Sequence, residues 1–104
     1  MQSYIQVSTT TESKDAAIAL GHILVEKKLA ACIQINGPIT SIFTWKDKVT
    51  EAEEWQLVIK TRDDLFSILE QAIKENHTYE LPEIIGVKLE HVSSEYAKWI
   101  DEQL

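Results

Sequence analysis

Leu29-Ala30-Ala31-Cys32-Ile33-Gln34-Ile35-Asn36 is the stretch in which a helical pattern hands over to a strand. Just before it, Lys27 and Lys28 stand where a helix C-terminus favours cations. After it, Ile33 and Ile35 alternate with Gln34 and Asn36 at the period of a strand. The small residues Ala30, Ala31 and Cys32 let another backbone approach closely. A helix that feeds straight into a strand implies helices layered on a sheet.

Working outward, Tyr4 to Thr10 alternates Ile5, Val7 and Thr9 against Gln6 and Ser8, the pattern of a first strand. The polar run Thr9-Thr10-Thr11-Glu12-Ser13 is rich in helix N-caps, and Asp15 suits the positive end of a helix dipole. We expect a helix over Lys14 to Lys28 that buries Ala16, Ala17, Leu20, Ile23 and Leu24. Beyond the opening stretch, Asn36-Gly37-Pro38 interrupts the alternation, which resumes over Ile39 to Trp45 with Ser41, Phe43 and Trp45 on one side. Lys46-Asp47-Lys48 reads as a hairpin tip, and Glu54 to Lys60 as the returning strand, with Trp55, Leu57 and Ile59 on one face. Gly37-Pro38 is either a full turn or a kink within one long strand. A full turn would start the second helix from the wrong end of the sheet, so we favour the kink.

Thr61 is expected to cap the second helix, with Asp63 and Asp64 in its first turn and Leu65, Phe66, Leu69, Ala72 and Ile73 as its apolar stripe. Asn76 to Tyr79 ends it. Glu83 to Glu90 is the last strand, with Ile85, Val87 and Leu89 on one face. Ser93 or Ser94 caps a short helix that buries Tyr96, Trp99 and Ile100 and frays from Asp101 to Leu104. This order is an α+β, ferredoxin-like split βαβ sandwich in one domain spanning residues 1–104, with long kinked hairpin strands and an added C-terminal helix. The long strands would carry Phe43, Trp45 and Trp55 beyond the sheet, where other copies of the chain are expected to cover them.

The chain has 104 residues, 10 of them basic and 17 acidic, a formal net charge of -7. That balance argues against a nucleic-acid backbone as partner and favours cations. No apolar run approaches the ~20 residues of a membrane span. One cysteine precludes an internal disulfide, and Met1 to Ile5 has neither a basic region nor a continuous apolar one, so we expect a cytoplasmic protein.

Three glycines at positions 21, 37 and 86 form no phosphate loop, and no hydrolase or metalloprotease pattern occurs. No enzyme is expected. Cys32 reads first as a small buried hydrophobe and second as a ligand. His77 reads first as a helix-terminal residue interacting with the dipole and second as a ligand, while His22 and His91 read as ordinary helix and strand-end residues. Tyr79, Glu80 and Glu83 around Pro82 are either a structured loop or a polar pocket. Phe43, Trp45 and Trp55 read as packing or interface rather than as a stacking platform.

Val7-Ser8-Thr9-Thr10, Leu24-Val25-Glu26-Lys27-Lys28-Leu29-Ala30-Ala31-Cys32, Ser41-Ile42-Phe43-Thr44-Trp45, Ile59-Lys60-Thr61 and His77-Thr78-Tyr79-Glu80-Leu81-Pro82-Glu83-Ile84-Ile85 together resemble the CutA divalent-cation-tolerance proteins. The resemblance implies a ferredoxin-like subunit, a homotrimer similar to that of PII signalling proteins, and a link to tolerance of copper and other divalent cations. It also implies copper ligands at Cys32 and His77. A third, cysteine-type position of some members falls on Thr9. Thr78, Glu12 and Asp47 depart from the family's usual proline, proline and glycine.

Two functions follow as expectations. One is a metal-binding trimer in which Cys32 and His77 hold copper or zinc with Glu80 or Glu83, His77 counting for more than Cys32. The other is a signalling or scaffold trimer that takes a small molecule or a partner protein in a cleft between subunits.

Overall fold

The computed structural model describes residues 2–104; Met1, part of the N-terminal stretch read above, lies outside them. Strand β1 (Tyr4–Thr11) leads into helix α1 (Lys14–Glu26), followed by the long strands β2 (Cys32–Trp45) and β3 (Lys48–Arg62). A 3-10 turn (Asp63–Leu65), helix α2 (Phe66–Asn76), strand β4 (Ile85–Leu89) and helix α3 (Ser94–Gln103) complete the chain. The sheet order is β2-β3-β1-β4, and every pairing is antiparallel.

Alternation decides which way the sheet faces. Ile5, Val7 and Thr9 of β1 pair with Thr61, Ile59 and Leu57 of β3, and these side chains are buried. Leu20 and Leu24 of α1 and Leu69, Ala72 and Ile73 of α2 join Ile5, Val7, Leu57 and Ile59 in one core. Each fully buried Leu or Ile is worth about 1.5–3 kcal/mol relative to exposure. The opposite face carries Gln6 and Ser8 beside Lys60 and Val58. Helix α3 touches that face at one end only: the Tyr4 hydroxyl donates to Asp101 at 2.8 Å, and Arg62 lies 3.7 Å from the same carboxylate.

Helix α1 starts where the cap residues predict, with Ser13 Oγ accepting from the Ala16 amide at 3.0 Å. It ends two residues earlier than the expected Lys28. There Lys28 adopts φ 59, its amide donates to Val25 O, and the Leu29 amide donates to Leu24 O at 3.0 Å. This is a Schellman closure, and Leu29 and Leu24 both enter the core, as that motif favours.

Gly37-Pro38 is a bulge, so β2 runs unbroken from Cys32 to Trp45. Its peptide bond is cis. Asn36 pairs with Gln56 and Ile39 with Glu54, so two residues of β2 oppose only Trp55. An extra residue reverses the alternation. Before the bulge Cys32, Gln34 and Asn36 share the open face with Lys60 and Gln56; after it Ser41, Phe43 and Trp45 do. Lys46 and Asp47, both left-handed, make a two-residue turn. The projecting arm explains a longest extent of 44 Å against 25 and 23 Å for the others.

Several expectations need correction. Thr61 does not cap α2: it is a buried strand residue whose hydroxyl donates to Leu29 O at 2.8 Å, tying β3 to the segment entering β2. Strand β4 is shorter than Glu83 to Glu90, and its apolar Ile85 and Val87 face away from the helices. Gly86 turns inward, where an added Cβ would meet Val7 and Phe66 at 3.5 Å. On α3 only Ile100 is buried; Tyr96 and Trp99 are exposed and stack on each other at 5.4 Å. The helix does not fray at Asp101, which Tyr4 and Arg62 hold.

Candidate functional site

The loop after α2 folds back over the end of the sheet, and the arm rises beside it. Between them lies an open groove of about 1050 Å³. Ser41, Phe43 and Trp45 of β2 and Thr50, Ala52 and Glu54 of β3 form one wall, and Thr78 to Glu83 form the other. The bulge builds the first wall, because without the extra residue Phe43 and Trp45 would turn to the opposite face. The lining holds the carboxylates of Glu54, Glu80 and Glu83 and no Lys, Arg or His.

Three hydrogen bonds set the second wall. His77, the residue that ends α2, places Nε2 2.7 Å from Thr10 O, and its Nδ1 accepts from the Tyr79 amide at 3.0 Å. The Tyr79 hydroxyl donates to Glu54 Oε2 at 2.8 Å. Burial, and then the hydrogen bond to this carboxylate, push the Tyr79 phenol well above the usual tyrosine range. Glu54 itself is only 8% exposed, so this hydroxyl is its fixed polar contact. Nearby, the Thr78 hydroxyl donates to Glu12 at 2.6 Å and holds that carboxyl below the usual range.

Cys32 lies elsewhere. It is half-buried rather than buried, and pairs with Lys60 near α3. Although the neighbouring Tyr96 is 38% exposed, partial covering of its phenol and, second, the Cys32 thiol push the phenol up. Lys60 is level with Gln6, and Gln56 with Thr10. Cys32 is therefore four residue steps along the sheet and two strands across from the level of His77. That separation is on the order of 15 Å, too far for one ion to bridge. Thr9, the third position suggested by resemblance, faces the helices and is fully buried, with its hydroxyl unpartnered. Among the described residues no three His, Cys, Asp or Glu side chains come together to hold a metal ion. The residues of a single chain do not fit a copper or zinc centre built on Cys32 and His77.

Of the other anticipated residues, Glu80 and Glu83 are exposed in the groove wall. Phe43 and Trp45 are 39% and 38% exposed on the arm. Trp55 is separate from them: it packs on the core of its own chain, against Gly37 and under the Lys14 ammonium at 5.8 Å. Glu54, Thr10 and Glu12 were not anticipated as parts of a site. Glu54 alternates with Trp55 like any solvated strand residue, and only the loop after α2 brings a tyrosine 25 positions away over it.

Among the described residues no helix is long and apolar enough to cross a membrane. The family model for the CutA1 divalent ion tolerance protein matches residues 5–103. A CutA homolog of Xenopus laevis is 41% identical over 94% of this chain, which spans only 62% of that relative's length. The divalent-cation tolerance protein CutA of Archaeoglobus fulgidus is 36% identical over 98% of this chain and 97% of its own. The crystal structure of CutA1 from Oryza sativa superposes with a TM-score of 0.94 at 34% identity, covering 97% of this chain and 93% of that one. With the family model spanning nearly the whole chain and relatives and solved structures alike over it, the chain belongs to the CutA1 divalent ion tolerance family.

Proposed function

We propose that this protein serves divalent-cation tolerance as a homotrimer working through a cleft that each groove forms with a neighbouring subunit, in a binding role without catalysis. The observation that carries the reading is the groove itself, whose lining includes three carboxylates, spread along it rather than clustered, and no Lys, Arg or His. A net charge of -7 per chain adds to its attraction for cations. Assembly is supported by the open sheet face, on which Ile85 and Val87 are each 57% exposed, and by the aromatic arm. The trimeric number is what membership of the family implies. A copper- or zinc-type ion is the first ligand to test, held by Glu80 and Glu83 with groups of a second subunit, because one chain supplies too few ligands. A cytoplasmic setting, which keeps the Cys32 thiol reduced, completes the proposal.

Light scattering at low micromolar concentration should give three times the chain mass; a monomer overturns the cleft. Calorimetric titration of the trimer with copper or zinc should weaken by about tenfold or more in E80Q/E83Q, the worth of a lost charged ligand. A second reading, a signalling or scaffold trimer, is favoured by the size of the groove, at the upper end of the ~300–1,000 Å³ typical of small-molecule sites, and by its apolar Ile42, Phe43 and Leu81. Metal binding unchanged in E80Q/E83Q would make this second reading the better one.

A further inference from the structure

We propose that His77 is a positioning residue and not a metal ligand: its neutral ring ties the end of β1 to the groove wall and thereby aims Tyr79 at Glu54. The functional consequence rests on the cleft reading above; the atomic assignment does not. A backbone amide can only donate, so the Tyr79 N–H at 3.0 Å requires an unprotonated Nδ1. A carbonyl can only accept, so Thr10 O at 2.7 Å requires the proton on Nε2. One neutral tautomer satisfies both contacts, and the other satisfies neither.

Metal-binding histidines commonly donate one N–H to a carbonyl and ligate through the other nitrogen. The Nε2–H bond to Thr10 fits that pattern, which leaves Nδ1 as the only nitrogen able to ligate. Here Nδ1 is taken by the amide two residues ahead, and the Tyr79 ring stands 4.9 Å from the imidazole centroid. An ion at Nδ1 would have to expel the Tyr79 amide, and with it the turn that carries the phenol to Glu54. No acidic side chain is hydrogen-bonded to the ring to help replace that contact, and the carboxylate of Glu12 is held by Thr78. The geometry therefore sets ion binding at His77 against the integrity of the groove.

The test is long-range proton–nitrogen correlation of the His77 imidazole in the whole protein, with and without zinc chloride. The expected spectrum is the Nε2–H tautomer with an accepting Nδ1, unmoved by zinc. In H77Q, whose amide group offers both a donor and an acceptor, protection of the Tyr79 amide and the zinc isotherm should stay within about threefold of wild type. In H77A that protection should fall by about tenfold, the scale of one lost hydrogen bond, and zinc binding at the groove should weaken with it, whereas H77Q keeps both. A zinc-induced coordination shift at Nδ1, an Nδ1–H tautomer in the metal-free protein, or about tenfold weaker zinc binding in H77Q with its amide protection intact overturns the assignment. If H77A does not fold, the wild-type spectrum and H77Q decide. Light scattering on the same samples reports assembly separately, so a failed trimer is not mistaken for a failed latch.

Discussion

Replacing Tyr79 by Phe removes one oxygen and leaves the ring that lines the groove. The missing hydroxyl is the donor to Glu54 Oε2 at 2.8 Å, and Glu54 is 8% exposed, so its carboxylate loses a polar contact that bulk water cannot freely replace. A hydrogen bond to a charged group contributes about 1.5–3 kcal/mol. Tyr79 is half-buried, which lets some water reach the oxygen and places the expected loss near ~1.5 kcal/mol, the lower end of that range. The assay is urea unfolding of wild type, Y79F, E54Q and Y79F/E54Q at one fixed protomer concentration, since assembly makes apparent stability depend on concentration. The two single changes should be non-additive by about 1 kcal/mol, because removing the charge removes most of what the hydroxyl stabilises. Amide exchange over residues 78–83 should also speed up in Y79F. Stability within ~0.3 kcal/mol of wild type and additive single changes would show that Tyr79 does not hold Glu54 and that the groove wall is fixed by other means.

Three further outcomes are expected. All three tyrosines should ionise above the ordinary midpoint of 10.0, Tyr79 and Tyr96 chiefly through burial and Tyr4 through its hydrogen bond to Asp101. A raised phenol pKa stabilises the fold fully below the unfolded value, and that contribution fades as pH rises through the folded one. Tyrosinate absorbance appearing at or below the ordinary midpoint would contradict these contacts. Gly37→Ala places a Cβ within 3.0 Å of the Trp55 ring although the backbone there suits any residue, so it should cost about 1–3 kcal/mol as overpacking. Denaturation of G37A, W55L and the double variant checks this, and a cost that persists undiminished in W55L refutes it. Asp47→Gly should stabilise the arm by up to ~1 kcal/mol, because Asp47 sits at φ 66 in the turn where glycine is free of the left-handed penalty. Loss of stability in D47G would show that the Asp47 side chain contributes more than its backbone costs.

Local chemistry already determines much of this protein. Periods of two and of 3.6 residues locate the strands and helices, because a side chain's face depends on backbone geometry alone. Ser13 and Asp15 mark the start of α1 for the same reason, as partners within one turn. The family segments, too, lie continuously along the chain. Chain reversal at the end of α1 is less legible, since Lys28 takes the left-handed conformation usually left to glycine.

Tertiary structure alone decided what depends on register and on distant partners. Thr61 has the chemistry of a helix cap, yet a carbonyl 32 positions away claims its hydroxyl. Gly37-Pro38 announces an interruption, but only the pairing of β2 with β3 makes it a one-residue bulge that turns Phe43 and Trp45 toward Glu54. Cys32 and His77 are both plausible ligands by residue type. The sheet separates them by strand spacing and rise, and the ends of β1 and the groove loop occupy both nitrogens of the imidazole. Residue type and period are carried by neighbours in the chain, whereas the availability of a lone pair depends on what folding places opposite it.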